Sequence, residues 1–106
     1  MPRISKGEQR VLAAWAAFTD QHEDFFAERA DALAELDHAA RRRLPWSEVP
    51  WPTKAVAAFR DAGLDTVGDV VAAGPRFFLD RKACGRVTLV LVSMVLETIG
   101  EELGVA

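Results

Sequence analysis

One cysteine, Cys84, stands among the 106 residues. That excludes an internal disulfide and any cysteine-based zinc finger, and makes a reducing cytoplasm the simple expectation. No apolar run approaches the roughly 18 residues that a membrane span needs. The stretch MPRISKGEQR lacks the apolar core of a signal peptide, so no membrane partner and a cytoplasmic location are expected. Basic charge is scarce as well. The net charge is −3 and the pI about 5.3, with seven basic against nine acidic residues over 1–53 and six against seven over 54–106. Binding to nucleic acid therefore needs a local patch, because bulk electrostatics does not supply it. Catalytic patterns are missing too: there is no nucleophile–base pair, no Walker-type loop and no paired His/carboxylate metal motif. His22 and His38 lie sixteen apart with no ligand constellation. The chain reads as a non-enzyme with no cofactor and no metal.

Glycine and proline are absent between Glu8 and Leu44, and Ala, Glu, Arg and Leu are abundant there, which favours helix. Ser5 followed by Glu8 is a capping-box pattern, and Asp20 with Glu23 is a second. Val11, Trp15, Phe18, His22, Phe25, Arg29, Leu33, Leu36 and Ala40 recur at steps of three or four, a helical stripe. Two readings stay open: a hairpin of helices over about 6–18 and 21–43, or one long helix that implies dimerisation. Three prolines then fall within residues 45–52 and predict an extended connector. Its Trp46 and Trp51 are expected, like Trp15, to be core anchors rather than platforms for bases. Pro52 suits the first turn of a helix over 53–62 that stops at Gly63. Thr66 is expected to N-cap a helix over 67–73 ended by Gly74, and Pro75 to start another over 75–80. A small hairpin over Ala83–Thr88 follows, and Thr88 is expected to N-cap a final helix over 89–101. No segment alternates with the period of a strand. The expected fold is all-α, a compact bundle of short helices with a helix-hairpin-helix over 46–106, behind an N-terminal helical extension over 1–45.

The order Ala62-Gly63-Leu64-Asp65-Thr66-Val67-Gly68-Asp69-Val70-Val71, then Phe77-Phe78-Leu79, then Ala83-Cys84-Gly85-Arg86-Val87-Thr88-Leu89 resembles the C-terminal domain of the bacterial RNA polymerase α subunit. The likeness runs without a gap from about Val49 to Leu96, and Leu103-Gly104 also fits it. The resemblance implies a domain that docks on double-stranded DNA through a helix-hairpin-helix and works with RNA polymerase or another transcription protein. It places DNA contacts at Lys54, Lys82, Gly85, Arg86 and Thr88. Lys54 stands where the family has an arginine that enters the minor groove, a point charge in place of a guanidinium fork. Ala57 and Ala83 stand at family asparagines, Val87 at a second basic residue and Leu91 at an acidic one.

These departures leave a backbone phosphate cradle with little side-chain readout. They also support an alternative, a protein-interaction adaptor or homodimer that kept the fold and lost DNA. Residues 87–96 are apolar on nearly every face, so this helix needs cover from the N-terminal helices or from a partner chain. Arg41-Arg42-Arg43 reads as a charge cluster at a helix C-terminus more readily than as a phosphate patch. Lys54, Arg81, Lys82 and Arg86 form either a basic face at the hairpin or an ordinary solvated surface. Cys84 is expected to be buried.

Overall fold

Six α-helices carry the fold of the computed structural model, which describes residues 5–81 and 84–104. They are α1 (Lys6–Gln21), α2 (Ala30–Glu35), α3 (His38–Arg43), α4 (Thr53–Ala62), α5 (Val67–Leu79) and α6 (Arg86–Thr98). Among the described residues there is no strand, only an isolated bridge between Pro45 and Thr66. The protein is all-α and compact, with a radius of gyration of 13.7 Å, close to the value of about 13 Å for a folded chain of this size.

Ser5 caps α1, its hydroxyl accepting the Glu8 N–H at 3.1 Å. The helix ends at His22, whose φ of −122° and ψ of 36° break the ladder. Asp20 therefore lies inside α1 and caps nothing, and the single long helix does not form. The break turns Phe26 back onto Trp15 and Phe18, with ring centroids 5.5 and 5.9 Å apart. The expected second helix over 21–43 is interrupted in its turn. Phe25–Arg29 forms a π turn in which the Ala30 N–H reaches the Phe25 carbonyl. A π turn inserts one extra residue and so rotates everything after it. Arg29, expected on the apolar stripe, swings out to pair with Glu48 at 3.0 Å, and Ala30 takes the buried position. A further break follows at Leu36, after which the Asp37 carboxylate accepts the Ala40 N–H at 2.7 Å and caps α3.

The proline-rich connector carries a 3-10 turn over Trp46–Glu48. Trp46 donates its indole N–H to the Leu64 carbonyl, Trp51 donates to the Trp46 carbonyl, and both rings pack on Phe59. Pro52 stands just outside α4 as its N-cap, and Gly63 closes the helix with a φ of 71°, a conformation that glycine adopts without strain. Thr66 and Asp69 form a complete capping box at the start of α5. Gly74, with a φ of 73°, splits α5 into two short helices, and Pro75 opens the second.

The last helix departs from its expected bounds. It starts at Arg86 with Gly85 as N-cap and runs to Thr98. Its fully buried Val92, Val95 and Leu96 meet Phe59, Val67, Val70 and Phe78 in the core. Burial of each such side chain contributes roughly 1.5–3 kcal/mol. α1, α2, α4 and α5 all pack against α6, so the N-terminal helices supply cover that its apolar faces require.

Candidate nucleic-acid interface

The turn before α6 brings two helix starts together. Cys84 is buried, and its thiol lies 3.6 Å from the Lys54 carbonyl in the first turn of α4. Gly85 follows immediately, so the start of α6 sits beside the start of α4. Lys54, Gly85 and Arg86 are all exposed at this end of the molecule. Lys82 and Ala83 lie outside the described residues.

Gly85 has a φ of −85° and a ψ of −174°, extended backbone that any residue adopts. A Cβ built there would meet nothing within 4 Å. Neither conformation nor packing therefore requires glycine at this position. What its missing side chain leaves is open space in front of a helix end. No side chain caps that end, and the first backbone bond of the turn runs from the Leu89 N–H to the Gly85 carbonyl at 3.2 Å. Among the described residues, the N–H groups of Arg86, Val87 and Thr88 have no acceptor. Such a terminus carries the positive end of the helix dipole and suits an anion.

Thr88 does not have its expected role. It is the third residue of α6 rather than the cap, and its side chain is buried. The helix gains a residue of propagation on each step back to Gly85, which moves the cap away from the hydroxyl. Thr88 contributes a backbone N–H to this end, not a hydroxyl.

Next to the turn, a groove of about 340 Å³ is lined by Lys54, Ala57, Asp61, Asp80, Arg81 and Cys84. Two carboxylates thus offset two cations. Arg81 is further occupied by the Phe77 ring, with its guanidinium carbon 4.0 Å from the centroid. The basic face expected from Lys54, Arg81 and Arg86 is therefore split: Lys54 and Arg86 are exposed at the helix starts, while Arg81 is half-buried against an aromatic ring.

The arginine run has a structural role that its sequence did not disclose. Arg41 is buried and donates from Nε to Glu101 Oε2 at 2.7 Å. Its other nitrogens reach the carbonyls of Leu33, Ala34, Leu36 and Gly100. Arg42 donates to the other Glu101 oxygen at 2.9 Å. His38 Nδ1 lies 2.7 Å from Glu101 Oε2 and 3.2 Å from an Arg41 nitrogen. A carboxylate only accepts and a guanidinium only donates, so Nδ1 carries the proton and the shorter contact is the hydrogen bond. Burial pushes the Glu101 carboxyl up, but hydrogen bonds from His38, Arg42 and Arg41 and the Arg41 charge outweigh it and hold it below the ordinary value. Only Arg42 and Arg43 of the run remain exposed.

The histidines diverge: the His22 ring packs on Phe18 at 4.7 Å, while His38 joins Glu101. No group of three or more His, Cys, Asp or Glu among the described residues is placed to hold a metal ion. No described helix is long and apolar enough to cross a membrane. No protein-family model, curated protein or solved structure matches the chain.

Proposed function

We propose that this protein is a non-enzymatic, transcription-related domain that docks on the phosphates of double-stranded DNA through the N-terminus of α6. The observation that carries this reading is the helix end at Gly85, uncapped by any side chain, with three N–H groups that have no acceptor among the described residues and open space before them. A phosphate oxygen accepts from those groups, and the exposed Arg86 and Lys54 add charge on either side. The resemblance to the RNA polymerase α C-terminal domain supplies DNA as the source of the phosphate, and RNA polymerase or another transcription protein as a partner in a bacterial cytoplasm. Ala57 and Val87 offer no base-edge contact, so recognition is of backbone rather than sequence.

Affinity then falls in the non-specific range, with a Kd on the order of 1–100 µM at modest salt. A fluorescence-anisotropy titration with A·T-rich and mixed duplexes tests this. The expected results are near-equal affinity for both duplexes, a log–log salt slope of about −1 to −2 for one or two phosphates, and loss of binding in the Lys54→Ala, Arg86→Ala double variant. A flat titration up to about 100 µM protein at low salt overturns it.

The second reading, a protein-interaction adaptor or homodimer, is favoured by one observation: Leu12 is half-exposed on an apolar groove beside α6.

A further inference from the structure

We propose that the groove between the first turns of α1 and α6 is a docking site for an acidic amphipathic helix of a partner protein. This inference does not rest on DNA binding. The groove measures about 610 Å³, and its walls are Val11 and Leu12 of α1 with Val87 and Val90 of α6. Leu12 keeps 50% of its surface exposed there, although α1 has a core-facing side that buries Phe18. Two packed helices that present apolar side chains to a shared groove, the adjacent Val11 and Leu12 facing Val87 and Val90, form the kind of trough that accepts the apolar face of a third helix.

The charge around the groove selects the partner. Arg10 and Arg86 line it against one carboxylate, Glu8. Neither arginine makes an ion pair among the described residues. The rim is thus positive on a chain whose net charge is −3. Apolar anchors flanked by Asp and Glu complement it, and basic or neutral helices do not. The groove lies open to solvent and does not enclose the large share of a ligand's surface that small-molecule sites bury, so a helix fits it better than a small amphiphile does.

The test uses the full chain and a fluorescein-labelled designed peptide of about 18 residues, with leucines at i, i+3, i+4 and i+7 and glutamates on the rim. Its partner peptide carries lysines in place of the glutamates. The acidic peptide is expected to bind at least about tenfold tighter than the basic one. Leu12→Glu and, separately, Arg10→Glu are each expected to weaken it about tenfold with unchanged circular dichroism. Arg10→Glu keeps the proposal testable if Leu12→Glu perturbs folding. Arg86 lines the groove as well as the start of α6, whereas Lys54 does not line it, so Lys54→Ala reports on the phosphate site alone: it is expected to weaken duplex binding and leave peptide binding unchanged. Equal affinity for the two peptides, or indifference to both variants, overturns the proposal. So does a concentration-dependent dimer in sedimentation that Leu12→Glu dissolves, because the occupant is then a second copy.

Discussion

Arg41 bonds four backbone carbonyls and one carboxylate, drawn from the end of α2 and from the segment after α6. Its guanidinium thereby joins the Leu36 N–H, which donates to the Leu33 carbonyl, in closing the end of α2, and ties the N-terminal helices to the chain after the core. Removing Arg41 leaves the buried Glu101 with only Arg42 and His38 and takes a donor from four carbonyls; breaking such a buried pair costs about 3–5 kcal/mol. Arg41→Ala is accordingly expected to lower the unfolding free energy by about that amount in urea titrations at neutral pH. Glu101 supplies the pH dependence. Its carboxyl is held below the ordinary value in the folded state, so between the two values the unfolded chain binds more protons. The stabilisation is therefore complete above the unfolded value of about 4.3 and is lost as pH falls through the folded one. The stability gap between the native protein and Glu101→Gln should be large at neutral pH and should shrink in acid. A gap unchanged between neutral pH and acid would mean that the ion pair contributes little.

Helix ends were the most legible elements, because their determinants lie within a few residues. Thr66, Gly63 and Gly74 before Pro75 each act as expected, Ser5 caps α1 by accepting the Glu8 N–H, and Asp69 adds a reciprocal bond at the start of α5 that the sequence reading does not include. The π turn at Phe25–Arg29 was not legible. It follows from packing that turns Phe26 onto Trp15 and Phe18, and the stripe read at Arg29 shifts to Ala30 as a result. The cap of α6 was misassigned for a similar reason: Thr88 has the better capping side chain, but the structure buries it and leaves Gly85 at the end. That uncapped end can be closed deliberately. Gly85→Asp should accept from the N–H groups of the first turn and add a favourable charge at the dipole, raising stability by roughly 0.3–1 kcal/mol. The same change is expected to abolish duplex binding, since the carboxylate occupies and repels the phosphate. Thermal unfolding and anisotropy on one variant check both halves. A variant that is stabilised yet binds DNA normally would separate the helix end from function.

For the whole molecule, the all-α architecture was legible from propensity and from the missing strand period. The way the halves join was not: Arg41 and Glu101 lie sixty residues apart, and nothing local marks them as partners. α6 packs against α1 and α2 as well as α4 and α5, so a fragment spanning 46–106 loses both that apolar cover and the ion pair. It is expected to self-associate or to unfold at much lower urea than the full chain, as read by sedimentation and circular dichroism. A monomeric fragment of native stability would contradict this.

The central claim, that the backbone at the start of α6 receives a phosphate, is tested most directly by a ¹H–¹⁵N NMR titration of the full chain with a short duplex. The account predicts the largest amide shifts at Gly85, Arg86, Val87 and Thr88, smaller ones around Lys54, and none along α2 or α3. Shifts centred on the exposed Arg42 and Arg43, or no shifts at saturating duplex, would contradict it.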